Sequence, residues 1–230
     1  MFLEFAATGL GGLLILVICE ALIKSKSIKG EYARKLVHIA IAVYASTWAF
    51  FLPYQLIILI SLILVTAVIL VQRYPIMQSM KSVRRVTNGE VYFAVGIGVA
   101  AAVFREPAMY AVAVLHMGLA DGFAAIVGVG MSKKANRFKV KGSWKSIEGT
   151  LTFVVISFFL NDAYWMYFSN HQFNIQHAAT IPIYSLVSAC ILAVTEVVSP
   201  KGSDNVIIPL ASGTLLWLPF ALASTSYLFV

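Results

Sequence analysis

The sequence predicts an all-α, polytopic integral membrane protein of about eight transmembrane helices, with both termini outside. Three observations predict it. Of the 230 residues, 60% are hydrophobic and only 12% charged, a balance that belongs to helices packed in lipid. The apolar residues fall into segments near 2–23, 36–52, 54–72, 90–104, 108–131, 147–168, 178–198 and 205–228, which approach the ~20 residues that a bilayer crossing needs. Finally, 16 of the 17 Lys and Arg residues lie in alternate loops, with only Arg105 on the other side. By the positive-inside rule those loops are cytoplasmic.

The first segment lacks a basic leader, carries Glu4 and stays apolar to Ile23, so it reads as a membrane helix rather than a cleaved signal. The loop 24–35 holds Lys24, Lys26, Lys29, Arg34 and Lys35, and the second helix opens there with His38 one turn further on. Pro53 separates the second helix from the third. The loop 73–89 holds Arg73, Lys81, Arg84 and Arg85. The short fourth helix opens on Thr87-Asn88-Gly89-Glu90, which fits a capping box with Glu90 at its third position. The fifth carries Asp121, a carboxylate that costs ~2.5–3.5 kcal/mol at a helix centre on insertion scales. Gly118, Asp121, Ala125 and Gly128 recur there at helical spacing as one narrow stripe. His116, five residues before Asp121, falls on a different face of an α-helix and reads as structural. A basic loop with Lys133, Lys134, Arg137, Lys139, Lys141 and Lys145 leads into Ser146 and Glu148 at the sixth helix. Glu196 closes the seventh, and Lys201, Ser203, Asp204 and Asn205 lead into the eighth.

The chain shows no repeat, linker or low-complexity tract, so residues 1–230 read as a single membrane-embedded domain. Cys19 and Cys190 both fall in apolar segments, which argues against a disulfide framework or a cysteine zinc site. The net charge of +7 is loop charge. No basic run is interleaved with aromatics in an exposed segment, so nucleic acid is not an expected partner. The even-numbered helices all point their amino termini, the positive ends of their dipoles, at the cytoplasm, where phosphate binds readily.

Taken singly, these polar residues have plain readings. Arg34 and Lys35 are interfacial anchors, His38 is a satisfied helix histidine, Glu90 is half of a cap, and Ser203 or Asp204 caps the last helix. Together they supply what phosphoryl or nucleotidyl transfer needs. Asp121, Glu148, Glu196 and Asp204 are carboxylates for Mg²⁺. Arg34, Lys35, Lys141 and Lys145 are cations for phosphates, and Gly128, Gly130 and Gly142 allow close backbone approach. No Walker A sequence, kinase glycine loop or HRD motif is present.

The series ARKLVH at 33–38, GE at 89–90, ADGFAAIVG at 120–128, KGSWKSIEG at 141–149 and SDNVIIPLASG at 203–213 resembles the polyprenol kinase family. That family includes the CTP-dependent dolichol, phytol and farnesol kinases and the fungal-type CTP-dependent diacylglycerol kinase, and is distantly similar to CDP-diacylglycerol synthases. Gly122 stands where the family commonly has an acidic or threonine residue. The resemblance implies phosphorylation of a membrane lipid alcohol, of isoprenoid type such as phytol, geranylgeraniol or a polyprenol, with CTP as co-substrate and Mg²⁺ as cofactor. It implies catalytic roles for Asp121, Lys145 and Glu148. Metal contacts would come from Asp121, Glu148, Glu196 and Asp204. Nucleotide contacts would come from Arg34, Lys35, Gly128, Lys141, Ser146, Asp204 and Asn205. The lysines of 133–141 are expected to face anionic lipid. Two other classes compete. A phosphatidate cytidylyltransferase would use the same nucleotide, although its long signature is missing here. A small transporter would place polar residues on both faces and often shows a repeat.

Overall fold

The computed structural model describes residues 2–73, 88–131, 136–141, 143–172, 180–200 and 202–226. Its helices are α1 (Phe2–Ser25), α2 (Glu31–Ser46), α3 (Tyr54–Arg73), α4 (Gly89–Val103), α5 (Pro107–Leu115), α6 (Asp121–Gly130), α7 (Ile147–Gln172), α8 (Thr180–Val198) and α9 (Asp204–Ser226). A π-helical turn, His116–Ala120, joins α5 to α6. Among the described residues, five helical spans are long and apolar enough to cross a membrane: Glu4–Ser25, Pro107–Gly130, Ile147–Phe168, Thr180–Val198 and Asp204–Ala221. Tyr54–Leu70 and Gly89–Val103 are apolar but shorter.

Large apolar side chains point outward along these helices, among them Leu10, Leu14, Leu62, Phe159, Ile183 and Val194. A water-soluble monomer rarely exposes apolar surface so continuously, whereas acyl chains satisfy it. The interior is built from small residues and aromatics. Ala42, Ala45, Ala100 and Ala113 are fully buried, alongside Tyr110 and Tyr164. At Gly118 a Cβ would stand 2.0 Å from the Ala42 Cβ, so α2 and the π turn touch at backbone distance, as small residues allow in lipid. Pro209 lies inside α9 and has no N–H for the Asn205 carbonyl four residues earlier. Helix α4 packs against that carbonyl through Gly96, where a Cβ would come within 2.0 Å of the oxygen.

Three local features differ from the sequence reading. The loop before α7 is not all irregular: β1 (Arg137–Val140) pairs antiparallel with β2 (Ser143–Ser146), so the fold is helical with one small hairpin. The alternation Arg-Phe-Lys-Val carries the strand period, which the density of positive charge masks. Helix α2 begins at Glu31, five residues before its apolar run, because Glu31 sits at the helix amino terminus and pairs with Arg34 one turn on. Helix α4 has Asn88 at its N-cap with no side-chain cap bond, which puts Glu90 one position earlier than a capping box requires. Thr87 lies outside the described residues, as do Lys81, Arg84, Arg85, Lys133, Lys134, Gly142, His177 and Lys201.

Candidate active site

The amino termini of α2, α4, α7 and α9 meet the carboxyl ends of α6 and α8 around one cavity of about 590 Å³. Residues from each of these ends line it, and so does all of β2.

Three carboxylates converge there. Oxygens of Asp121, Glu196 and Asp204 lie within 4.8 Å of one another. Asp121 and Glu196 are buried, and Asp204 is half-buried. Each buried acid is answered by a lysine from a distant element. Lys35 on α2, itself 3% exposed, bonds Asp121 Oδ2, and Lys145 on β2 bonds Glu196 Oε1. Charges so far from water persist only when paired. Burial pushes the Lys145 ammonium down, but Glu196 beside it, helped by Asp121 and Asp204, outweighs this and holds its pKa above the ordinary lysine value. Arg34 reaches back to Glu31, with Nε 3.0 Å from Oε2.

A second layer fixes Asp121. His38 donates from Nε2 to the Met117 carbonyl at 3.0 Å, and the same nitrogen is 3.9 Å from Asp121 Oδ2. Met117 belongs to the π turn, a feature that gathers at functional sites. His116 is fully buried, with Nδ1 within reach of the Val112 carbonyl and the Ser212 hydroxyl, and it does not line the cavity. Gly122 faces Ile39 of α2 and not the carboxylates.

Of the residues singled out from sequence, Arg34, Lys35, Asp121, Gly128, Lys145, Ser146, Glu196, Asp204 and Asn205 all line the cavity. Ser146 also caps α7, its hydroxyl accepting from the Gly149 N–H at 3.1 Å. Asn205 donates to the Gly89 carbonyl at 2.8 Å and so ties α9 to α4. Gly130 lies outside the lining, against Tyr32, and two of the implied catalytic and nucleotide residues are also placed elsewhere. Glu148 lies outside both the cavity lining and the carboxylate group, and its Oε1 accepts from the backbone and side chain of Asn136 at 3.1 and 3.3 Å. It fastens the hairpin to α7. Lys141 sits exposed at the hairpin turn with φ 45°, away from the cavity. The sequence reading missed Glu31, Arg137, Lys139 and Trp144 as lining residues. The strand alternation of 137–140 was the signal that pointed to Arg137 and Lys139. Lys139 was expected to face anionic lipid, and instead it lines the cavity, as Arg137 does.

A phytol kinase of Synechocystis sp. is 31% identical over 217 residues, an alignment that covers 92% of this chain and 88% of that protein. No family model and no solved structure matches the chain.

Proposed function

The chain belongs to the phytol kinase family, and from that premise we propose that it transfers the γ-phosphoryl group of CTP to the hydroxyl of an isoprenoid alcohol held in the membrane. The observation that carries this reading is the group of three carboxylates with a lysine on each of its two buried members. Three hard oxygen donors within 4.8 Å suit Mg²⁺. Asp121, Glu196 and Asp204 would hold it, and when bound it would neutralise charge on the transferring phosphoryl group.

The remaining work falls to side chains. Lys35, Lys145 and Arg34 supply positive charge for a triphosphate, and the first turns of α2, α7 and α9 aim backbone N–H groups at it. The lipid hydroxyl oxygen attacks the γ-phosphorus, the β–γ bridging bond breaks and CDP leaves. Buried Asp121, held in place by Lys35 and His38, orients the attacking side. Loop charge supports a topology of eight crossings with both termini outside, which puts the cavity at the cytoplasmic face, where nucleotide is available.

One observation favours a second reading. Arg137 and Lys139 line the cavity, and among the described residues neither has an ion-pair partner. A cytidylyltransferase needs such extra cations, because its acceptor is a lipid phosphate. The two reactions attack different phosphorus atoms. With purified protein, label from γ-phosphate CTP is expected in phytol, geranylgeraniol or a longer polyprenol, and label from α-phosphate CTP is expected in no lipid. Capture of the α-label by phosphatidate, with no γ-label in any alcohol, would replace the kinase with a synthase.

A further inference from the structure

We propose that Trp144 is the platform on which the nucleobase of the donor stacks. The inference rests on the use of a nucleoside triphosphate, which both reactions above share.

Three of the four tryptophans have evident partners or surroundings. Trp48 and Trp165 are buried among aromatic rings, and Trp217 points outward from α9. Trp144 differs from all three. It is 64% exposed yet lines the cavity, and among the described residues no ring or cation covers its indole. Strand register puts Trp144 on the hairpin face opposite to Lys145, which bonds Glu196, so the indole belongs to the exposed outer rim of the cavity. Lys139 stands opposite Trp144 and Arg137 opposite Ser146, so these four residues share one face of the hairpin. Among the described residues, an uncovered aromatic face thus lies beside two cations without an ion-pair partner, at the rim of a cavity whose floor carries the carboxylates and their lysines.

That division matches the two ends of a nucleotide. The triphosphate belongs with the cations and the carboxylate-bound metal, and the base belongs on a flat apolar surface at the rim. Glu148 and Asn136 secure the hairpin to α7, so the platform is held rather than loose. Stacking a base on an aromatic ring is worth roughly tenfold to a hundredfold in affinity and accepts any base. Trp144 therefore supplies nucleotide affinity, while the choice among bases lies with other groups. The competing role for an exposed tryptophan near basic residues is a membrane-interface anchor.

The test uses the full-length protein in lipid nanodiscs, titrated with CTP and separately with inorganic tripolyphosphate, which has no base. CTP is expected to quench the intrinsic fluorescence of the wild type, and Trp144→Leu is expected to abolish that quenching. In the same variant KM for CTP should rise about tenfold or more, with a smaller change in kcat and unchanged inhibition by tripolyphosphate. Trp144→Phe should recover most of the affinity. Equal weakening of CTP and tripolyphosphate, or an unchanged KM in Trp144→Leu, overturns the platform. Quenching of Trp144 by brominated lipid that CTP does not relieve makes it an interface anchor instead. If the wild type binds tripolyphosphate but no nucleoside triphosphate, the nucleotide reading itself fails, before the question of Trp144 arises.

Discussion

Asp121 and Glu148 are both acids near helix starts, and the structure gives them different work. Asp121→Asn keeps an oxygen to accept from Lys35 but removes the charge that a divalent cation needs. Turnover is expected to fall by about two orders of magnitude or more, in protein that still purifies as a helical bundle. Near-normal activity would make Asp121 a packing residue. Glu148→Gln also keeps an oxygen for Asn136 and is expected to retain most turnover; a stable but dead variant would bring Glu148 back into the chemistry. The sequence showed Asp121, Glu196 and Asp204 readily, because charge inside or against an apolar run stands out. It could not show which way Glu148 turns. Gly149 and Thr150 face the cavity, and Glu148, about 100° back round the helix from Gly149, faces Asn136. Motif membership fixed its position in the chain and left its direction open.

At the scale of elements, the helices were legible wherever apolar residues run long, and illegible where polar contacts set the boundary. The first turn of α2 depends on Glu31 and Arg34, the hairpin on a short alternation inside a basic stretch, and the π turn on packing between helices distant in sequence. The contact of Gly118 with Ala42 is the most demanding of these. Gly118→Ala would overpack it, which is expected to cost about 1–3 kcal/mol, read as a lower thermal transition in detergent. Removing the opposing methyl in the double variant Gly118→Ala, Ala42→Gly should recover much of the loss. A single variant as stable as wild type would show that α2 and the π turn are not held at this distance.

At the scale of the whole molecule, the side of the membrane on which the cavity opens can be read by direct chemistry. In intact cells a cysteine in place of Ser27 should be shielded from an impermeant thiol reagent, and one in place of Asn170 should label. The reverse pattern would turn the cavity outward, away from cytoplasmic nucleotide. The bonds that join the cavity's walls carry a further consequence. Lys35 meets Asp121 across 86 residues, Lys145 meets Glu196 across 51, and Asn205 meets Gly89 across 116. Contacts of such long range form late, after the loops between them have closed. Helices can enter the bilayer one after another as synthesis proceeds, but the cavity has no partial form until α9 arrives. A chain cut short before Asp204 is therefore expected to insert in the membrane and yet do no chemistry.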